Sequence, residues 1–115
     1  MTQPREFLDY LGDIQEAVAK AQKFVAGMTY EQFAVDEKTT FAVVRCLEIV
    51  GEATRKIPAP IRTRYPRVPW REMVGMRDIL IHDYFGVNLR VVWNTVQNDL
   101  PPLKPQIEQI IVENS

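Results

Sequence analysis

The chain has 115 residues, of which 46% are hydrophobic and 25% are charged, and its formal net charge is −1. These values are typical of a soluble globular protein, so we assign residues 1–115 to a single domain. The sequence also excludes a membrane-spanning chain, because no apolar run approaches the roughly 20 residues that a span needs. The first residues lack the layout of a signal peptide, which predicts a cytoplasmic protein. The lone Cys46 excludes an internal disulfide and is expected to be a buried structural thiol.

Two long amphipathic helices are predicted in the first half of the chain. Apolar residues that recur every three or four positions predict a helix over about 7–25. Thr29 followed three residues later by Gln32 is a capping-box pattern, which predicts a short helix over about 30–34. A second long pattern predicts a helix over about 37–56. The apolar positions of the two long patterns are Phe7, Tyr10, Leu11, Ile14, Val18, Ala21, Phe24 and Val25, then Phe41, Val44, Leu47, Ile49, Val50 and Ala53.

The next segment is rich in proline and in basic residues. Four prolines between residues 57 and 69 predict an ordered connection rather than a long helix. From Arg55 to Arg77 there are seven basic residues and one acid, Glu72, so this stripe could attract a polyanion. A solvated, charged loop explains the same pattern equally well. The seven basic residues are Arg55, Lys56, Arg62, Arg64, Arg67, Arg71 and Arg77.

The helix predicted over 70–85 has an arginine where a helix should be apolar. Arg77 lies near the centre of a broad apolar sector. Because burying an unpaired guanidinium is unfavourable, Arg77 should be paired, face a protein partner or line a cleft. Arg45 lies three residues before Glu48, which favours surface pairing on that helix, but Glu48 or Glu52 would be a natural counter-ion for Arg77 if either turned inward. The residues of the apolar sector are Trp70, Met73, Val74, Leu80, Ile81, Tyr84 and Phe85.

The end of the chain is also predicted to be helical. Asn88 is a suitable N-cap for the next helix. Asp99 and the pair Pro101 and Pro102 predict a break, after which a last helix covers about 103–111. No alternation of apolar and polar residues is long enough for a strand. The sequence therefore predicts an all-α fold, an up-and-down bundle of four long helices with additional short ones.

Four polar groups converge along one side of the helix predicted over 70–85. Asp78 lies four residues before His82, and Arg77 lies seven before Tyr84, so each pair shares a helical face. An imidazole can transfer a proton near neutral pH, a neighbouring carboxylate can orient it, and a guanidinium can hold a phosphate. These groups suit an attack on a phosphodiester, in RNA by the 2′-hydroxyl. One histidine cannot make a zinc site, and we expect neither a metal nor a cofactor. A purely structural histidine is the alternative interpretation.

The segment from Arg77 to Phe85 resembles the Arg-x4-His-x-Tyr signature of the HEPN superfamily, specifically its HepT-like ribonuclease toxins. The resemblance implies a helical bundle that forms a homodimer and brings two copies of the signature into one cleft. It covers nearly the whole chain. The other matching positions are Asp9, Phe24, Phe33, Asp36, the segment Leu47–Ala53, Tyr65, Pro66, Pro69, Trp70, Trp93 and Asp99–Pro101.

The resemblance also implies a role for each signature residue. Arg77 and His82 would be the catalytic pair, and Asp78 occupies a polar position where family members often have asparagine. Tyr84 would accept a nucleotide from a cognate minimal nucleotidyltransferase antitoxin, which would make the chain a phosphoprotein. The implied substrate is RNA, for example tRNA or mRNA. The alternative is a non-catalytic helical dimerisation partner that regulates a nucleotidyltransferase, with Arg77 and His82 in a dimer-interface network.

Overall fold

A computed structural model describes residues 5–81 and 88–115, and within these ranges the side chains of all residues except 79–81. Every regular element in the described residues is helical. In chain order the elements are α1 (Phe7–Val25), α2 (Tyr30–Val35), α3 (Glu37–Arg55), α4 (Ala59–Arg64), α5 (Trp70–Ile81), α6 (Leu89–Asn94), a π-helical turn (Thr95–Asp99) and α7 (Leu100–Asn114). Helix α1 packs against α3 and α7, and α3 packs against α5. The predicted all-α bundle of four long helices and several short ones is confirmed.

The helix starts that were predicted from capping residues are confirmed. Thr29 Oγ1 accepts a hydrogen bond from the Gln32 N–H at 3.1 Å, and Gln32 Oε1 accepts one from the Thr29 N–H at 3.0 Å. Asn88 Oδ1 accepts hydrogen bonds from the N–H groups of Arg90 and Val91 at 3.1 and 3.2 Å. These side chains satisfy donors that have no partner within their own helix, so α2 and α6 begin where local sequence places them.

The core lies between α1, α3, α5 and α7. The apolar faces of α1 and α3 are buried as their periodicity predicts. Phe33 of α2 is fully buried, and its ring centroid lies 5.3 Å from that of Trp93 on α6, which attaches these two short helices to each other. None of the helices in the described residues combines the length and the apolar character needed to cross a bilayer. The buried residues of α1 and α3 are Leu11, Ile14, Ala17, Val18, Ala21 and Val25, then Val43, Cys46, Leu47, Val50, Gly51, Ala53 and Thr54.

The proline-rich connection contains a short helix that the sequence analysis did not predict. Helix α4 begins at Ala59 and tolerates Pro60, because the first turn of a helix does not need its N–H groups for internal hydrogen bonds. Arg62 of this helix donates hydrogen bonds to the carbonyl oxygens of Ile57, Thr54 and Arg55 at 3.0, 3.3 and 3.3 Å. Arg62 therefore caps the end of α3, where backbone carbonyls lack helical partners.

The predicted break near Asp99 is wrong, because the chain stays helical from Leu89 to Asn114. The backbone widens into a π-helical turn over Thr95–Asp99, and the N–H of Leu100 donates to the carbonyl of Thr95, five residues earlier. Two prolines follow in the first turn of α7, where their missing N–H groups are tolerated. The wider turn thus replaces the break that the prolines predicted.

Candidate functional site

The start of α5 is fixed by contacts with the rest of the bundle. The indole N–H of Trp70 donates to the carbonyl of Tyr65 at 3.0 Å, and the Tyr65 hydroxyl donates to Glu113 of α7 at 2.9 Å. Trp70, Met73 and Met76 are buried, so this side of α5 faces the core. The backbone that carries the signature arginine is therefore held by both polar and apolar contacts.

At Arg77 the backbone of α5 lies close to that of α3. A methyl group added to Gly51 of α3 would lie 2.6 Å from Arg77 Cβ, 2.9 Å from Arg77 N and 3.2 Å from Arg77 Cα. Such distances are shorter than carbon–carbon contacts of about 3.5–4.0 Å. Sequence analysis missed this contact, and its only local signal was a glycine inside a helix.

The predicted surface pairing on α3 is confirmed, and neither glutamate turns inward as a counter-ion for Arg77. Glu48 forms its ion pair with Arg45 on the same helix, with 3.1 Å between nitrogen and oxygen. Glu52 is exposed and makes no ion pair with any described residue. The Arg77 side chain is half-buried, as expected for an arginine that lines a cleft or faces a partner. Neither glutamate therefore neutralises this guanidinium.

Only part of the predicted constellation lies within the described residues. Arg77 and Asp78 are consecutive on α5, with Arg77 half-buried and Asp78 exposed. His82 and Tyr84 belong to residues 82–87, which lie outside the described residues. The predicted roles of these two residues, and the predicted continuation of α5 to residue 85, stay predictions.

The basic stripe predicted from the sequence divides into a structural and an exposed part. Arg62 is engaged by the carbonyls at the end of α3, so it is not available to a polyanion. We call the exposed remainder the basic segment, and it forms no ion pair within the described parts of the chain. It surrounds α4 and leads into α5. Its members are Arg55, Lys56, Arg64, Arg67 and Arg71.

A cleft of about 430 Å³ between α1 and α3 contains Cys46 but has few features of a nucleophilic site. Cys46 is 5% exposed, and burial raises the pKa of its thiol, while Lys20 acts in the opposite direction. Lys20 itself is paired with Glu16 at 2.7 Å. The predicted burial of this thiol is confirmed, and a protonated thiol is a poor nucleophile.

Comparisons with known proteins agree with the fold and with the family resemblance. The family model described as ribonuclease HepT-like matches residues 14–110. A protein of Thermococcus cleftensis named "Probable ribonuclease HepT" is 49% identical over 106 residues, which cover 92% of this chain and 96% of that protein. A Methanocaldococcus jannaschii protein named as a candidate RNase is 45% identical, over 93% of this chain and 88% of its own. No solved structure matches the chain significantly. With a helical bundle and a match over most of its length, the chain belongs to the HepT-like ribonuclease family.

Proposed function

We propose that the protein is a metal-independent RNA endonuclease, the toxin of a pair with a minimal nucleotidyltransferase antitoxin. The observation that carries the proposal is the position of Arg77 in a chain of this family. Its backbone is packed against α3, and neither Glu48 nor Glu52 neutralises its side chain. Two relatives carry ribonuclease names, and the basic segment supplies positive charge next to α5 for a polyanion.

In the proposed reaction the nucleophile belongs to the substrate. His82 accepts the proton of a ribose 2′-hydroxyl, and the oxygen attacks the adjacent phosphorus. The bond from phosphorus to the 5′-oxygen breaks, and that oxygen takes up a proton from water. The hydroxide left behind takes the proton that His82 accepted, which restores the free imidazole. The products are a 2′,3′-cyclic phosphate and a 5′-hydroxyl. Arg77 holds the phosphate through two hydrogen bonds and stabilises the charge that develops on it. The carboxylate of Asp78 orients the imidazole of His82 and favours its charged form.

The cleft is proposed to form between two copies of the chain. Two exposed apolar side chains support association, since Val35 is 85% exposed and Phe41 is 68% exposed. Phe41 lies on α3, the helix that packs against α5. A homodimer whose two-fold axis passes near α5 would bring two signatures together. Light scattering at micromolar concentration should give twice the mass of one chain, and a monomeric mass would contradict this arrangement.

The antitoxin is proposed to act on Tyr84. Adding a nucleotide to its hydroxyl would introduce phosphate charge and bulk on the face that the signature assigns to Arg77. The added group would then compete with the phosphate of the substrate, so the modified toxin would be silent. This regulation needs no change in the fold.

A second candidate function is favoured by one observation. Asp78 is exposed directly after Arg77, so it adds negative charge near the proposed phosphate site. Such a charge weakens the binding of RNA and suits a non-catalytic dimerisation partner that regulates a nucleotidyltransferase. Cleavage activity distinguishes the two candidates.

The decisive experiment is RNA cleavage in EDTA by the wild type and by His82→Ala. Loss of one positioned acid–base group should lower the rate by about 10² to 10⁴. Lys104→Ala is the control, because Lys104 is an exposed residue of α7. A 2′-deoxy substrate should resist cleavage. Cleavage of the deoxy substrate, dependence on Mg²⁺ or full activity in His82→Ala would refute the mechanism, and an inactive wild type would favour the second candidate.

A further inference from the structure

Glycine destabilises a helix interior, so its presence at position 51 needs a structural reason. Gly51 lies near the end of α3, fully inside the helix, where glycine is less stable than alanine. Its backbone conformation does not need glycine, since the one positive φ among the described glycines belongs to Gly27. The requirement is one of space, because a methyl group at Gly51 would lie 2.6 Å from Arg77 Cβ.

The close contact distinguishes Gly51 from the other helical glycines of the described chain. A methyl group on Gly12 of α1 or on Gly75 of α5 would meet no described atom within 4 Å other than those of its own neighbouring helix backbone. At Gly51 it would meet the N, Cα and Cβ atoms of Arg77, which are not the mobile end of a side chain. The contact can therefore be relieved only if α3 and α5 move apart.

We propose that Gly51 is a positioning residue for Arg77, because it lets α3 and α5 approach until the arginine backbone reaches the site of reaction. The inference rests on the proposed ribonuclease function, in which Arg77 holds the phosphate. A carbon–carbon contact is comfortable at about 3.5–4.0 Å. Relieving the 2.6 Å contact therefore requires α5 and α3 to separate by roughly 1 Å, which displaces Arg77 relative to the rest of the bundle.

A displacement of this size is large for a catalytic group. A misplacement of about 1 Å can lower a rate by about 10²-fold. Gly51→Ala should therefore lower kcat on RNA by about 100-fold, with a smaller change in KM, because the hold on the phosphate matters most in the transition state. Gly12→Ala and Gly75→Ala make the same chemical change without the contact, so both should keep the wild-type rate.

A double-mutant cycle separates positioning from a merely structural role. Arg77→Ala retains the N, Cα and Cβ atoms that Gly51→Ala would crowd, so the fall in melting temperature caused by Gly51→Ala should be the same in both backgrounds. The effect on cleavage should differ, because an arginine that has been removed cannot be misplaced. Gly51→Ala should then lower the rate no further in Arg77→Ala. If the fold-reductions in rate of the two single variants multiply in the double variant, the positioning role of Gly51 is overturned.

A second readout does not depend on cleavage. The Nε–Hε resonance of Arg77 in a ¹H–¹⁵N spectrum should shift in Gly51→Ala and stay in place in Gly12→Ala. An unchanged resonance, or a wild-type rate per folded molecule, would overturn the inference. If the wild type does not cleave RNA but the resonance shifts, the proposed function fails and the placement of Arg77 by Gly51 stands. If the Gly51→Ala variant does not fold, either alone or in combination with Gly12→Ala, Gly51 has a purely structural role.

Discussion

Replacing Arg62 should destabilise the fold, although the sequence analysis places this residue in the basic stripe that could attract a polyanion. The guanidinium is half-buried and donates three hydrogen bonds to carbonyls at the end of α3, at 3.0, 3.3 and 3.3 Å. A hydrogen bond to a charged group contributes about 1.5–3 kcal/mol, and two of these three are long. Arg62→Ala should therefore lower the free energy of unfolding by about 2–3 kcal/mol. For a chain of this size the melting temperature would fall by about 10 °C.

The assay is urea unfolding followed by circular dichroism, with Arg64→Ala as the matched control. Arg64 lies on the same helix and is exposed, with its guanidinium 5.8 Å from the centre of the Tyr65 ring. Its loss should change stability by no more than about 0.5 kcal/mol. Equal unfolding midpoints for the two variants would refute the capping role of Arg62. A loss of RNA affinity in fully folded Arg62→Ala, larger than in Arg71→Ala, would instead restore Arg62 as a phosphate contact.

Three further predictions concern the surface, the regulation and the thiol. Arg71→Ala should weaken RNA binding uniformly across sequences and reduce the slope of log K against log salt by about 1, as filter binding at several salt concentrations would test. Co-expression with a cognate nucleotidyltransferase should add nucleotide mass to the wild type but not to Tyr84→Phe, and an adduct that survives in the variant would contradict the assignment. Cys46 should react slowly with a thiol reagent in the folded state and rapidly in urea, because burial raises the pKa of its thiol and keeps it protonated at pH values where a free cysteine ionises; rapid reaction of the folded protein would contradict this.

The helices were predictable wherever the information is local. The capping pair Thr29 and Gln32 and the N-cap Asn88 determine helix starts through contacts three residues apart or fewer, so the sequence alone locates α2 and α6. The unpredicted helix α4 and the wrongly predicted break near Asp99 have the same cause, because proline disrupts a helix interior but is tolerated in a first turn. Whether Pro60 or Pro101 disrupts a helix or begins one depends on where the helix starts, and the sequence does not determine this start.

The surroundings of Arg77 could not be predicted because they depend on tertiary contacts. The periodicity marks this arginine as unusual, and the spacing of Arg45 and Glu48 on α3 predicts the ion pair that forms there. Neither pattern shows which atoms lie against Arg77. Gly51 lies in the segment Leu47–Ala53 that matches the family, but its packing role was not predictable, since a glycine within a helix is recognised as a close-packing residue only when the opposite helix is known. Distances between helices are properties of the bundle and not of any one segment.

The positions of the two tryptophans provide the protein with two separate intrinsic fluorophores. Trp70 at the start of α5 is 8% exposed, whereas Trp93 on α6 lies beside the ring of Phe33. The two helices flank residues 82–87 in the chain, one on each side. In Trp93→Phe the emission would come from the α5 side alone, and in Trp70→Phe from the α6 side alone. Binding of RNA or of an antitoxin could thus be followed on each side without an attached dye.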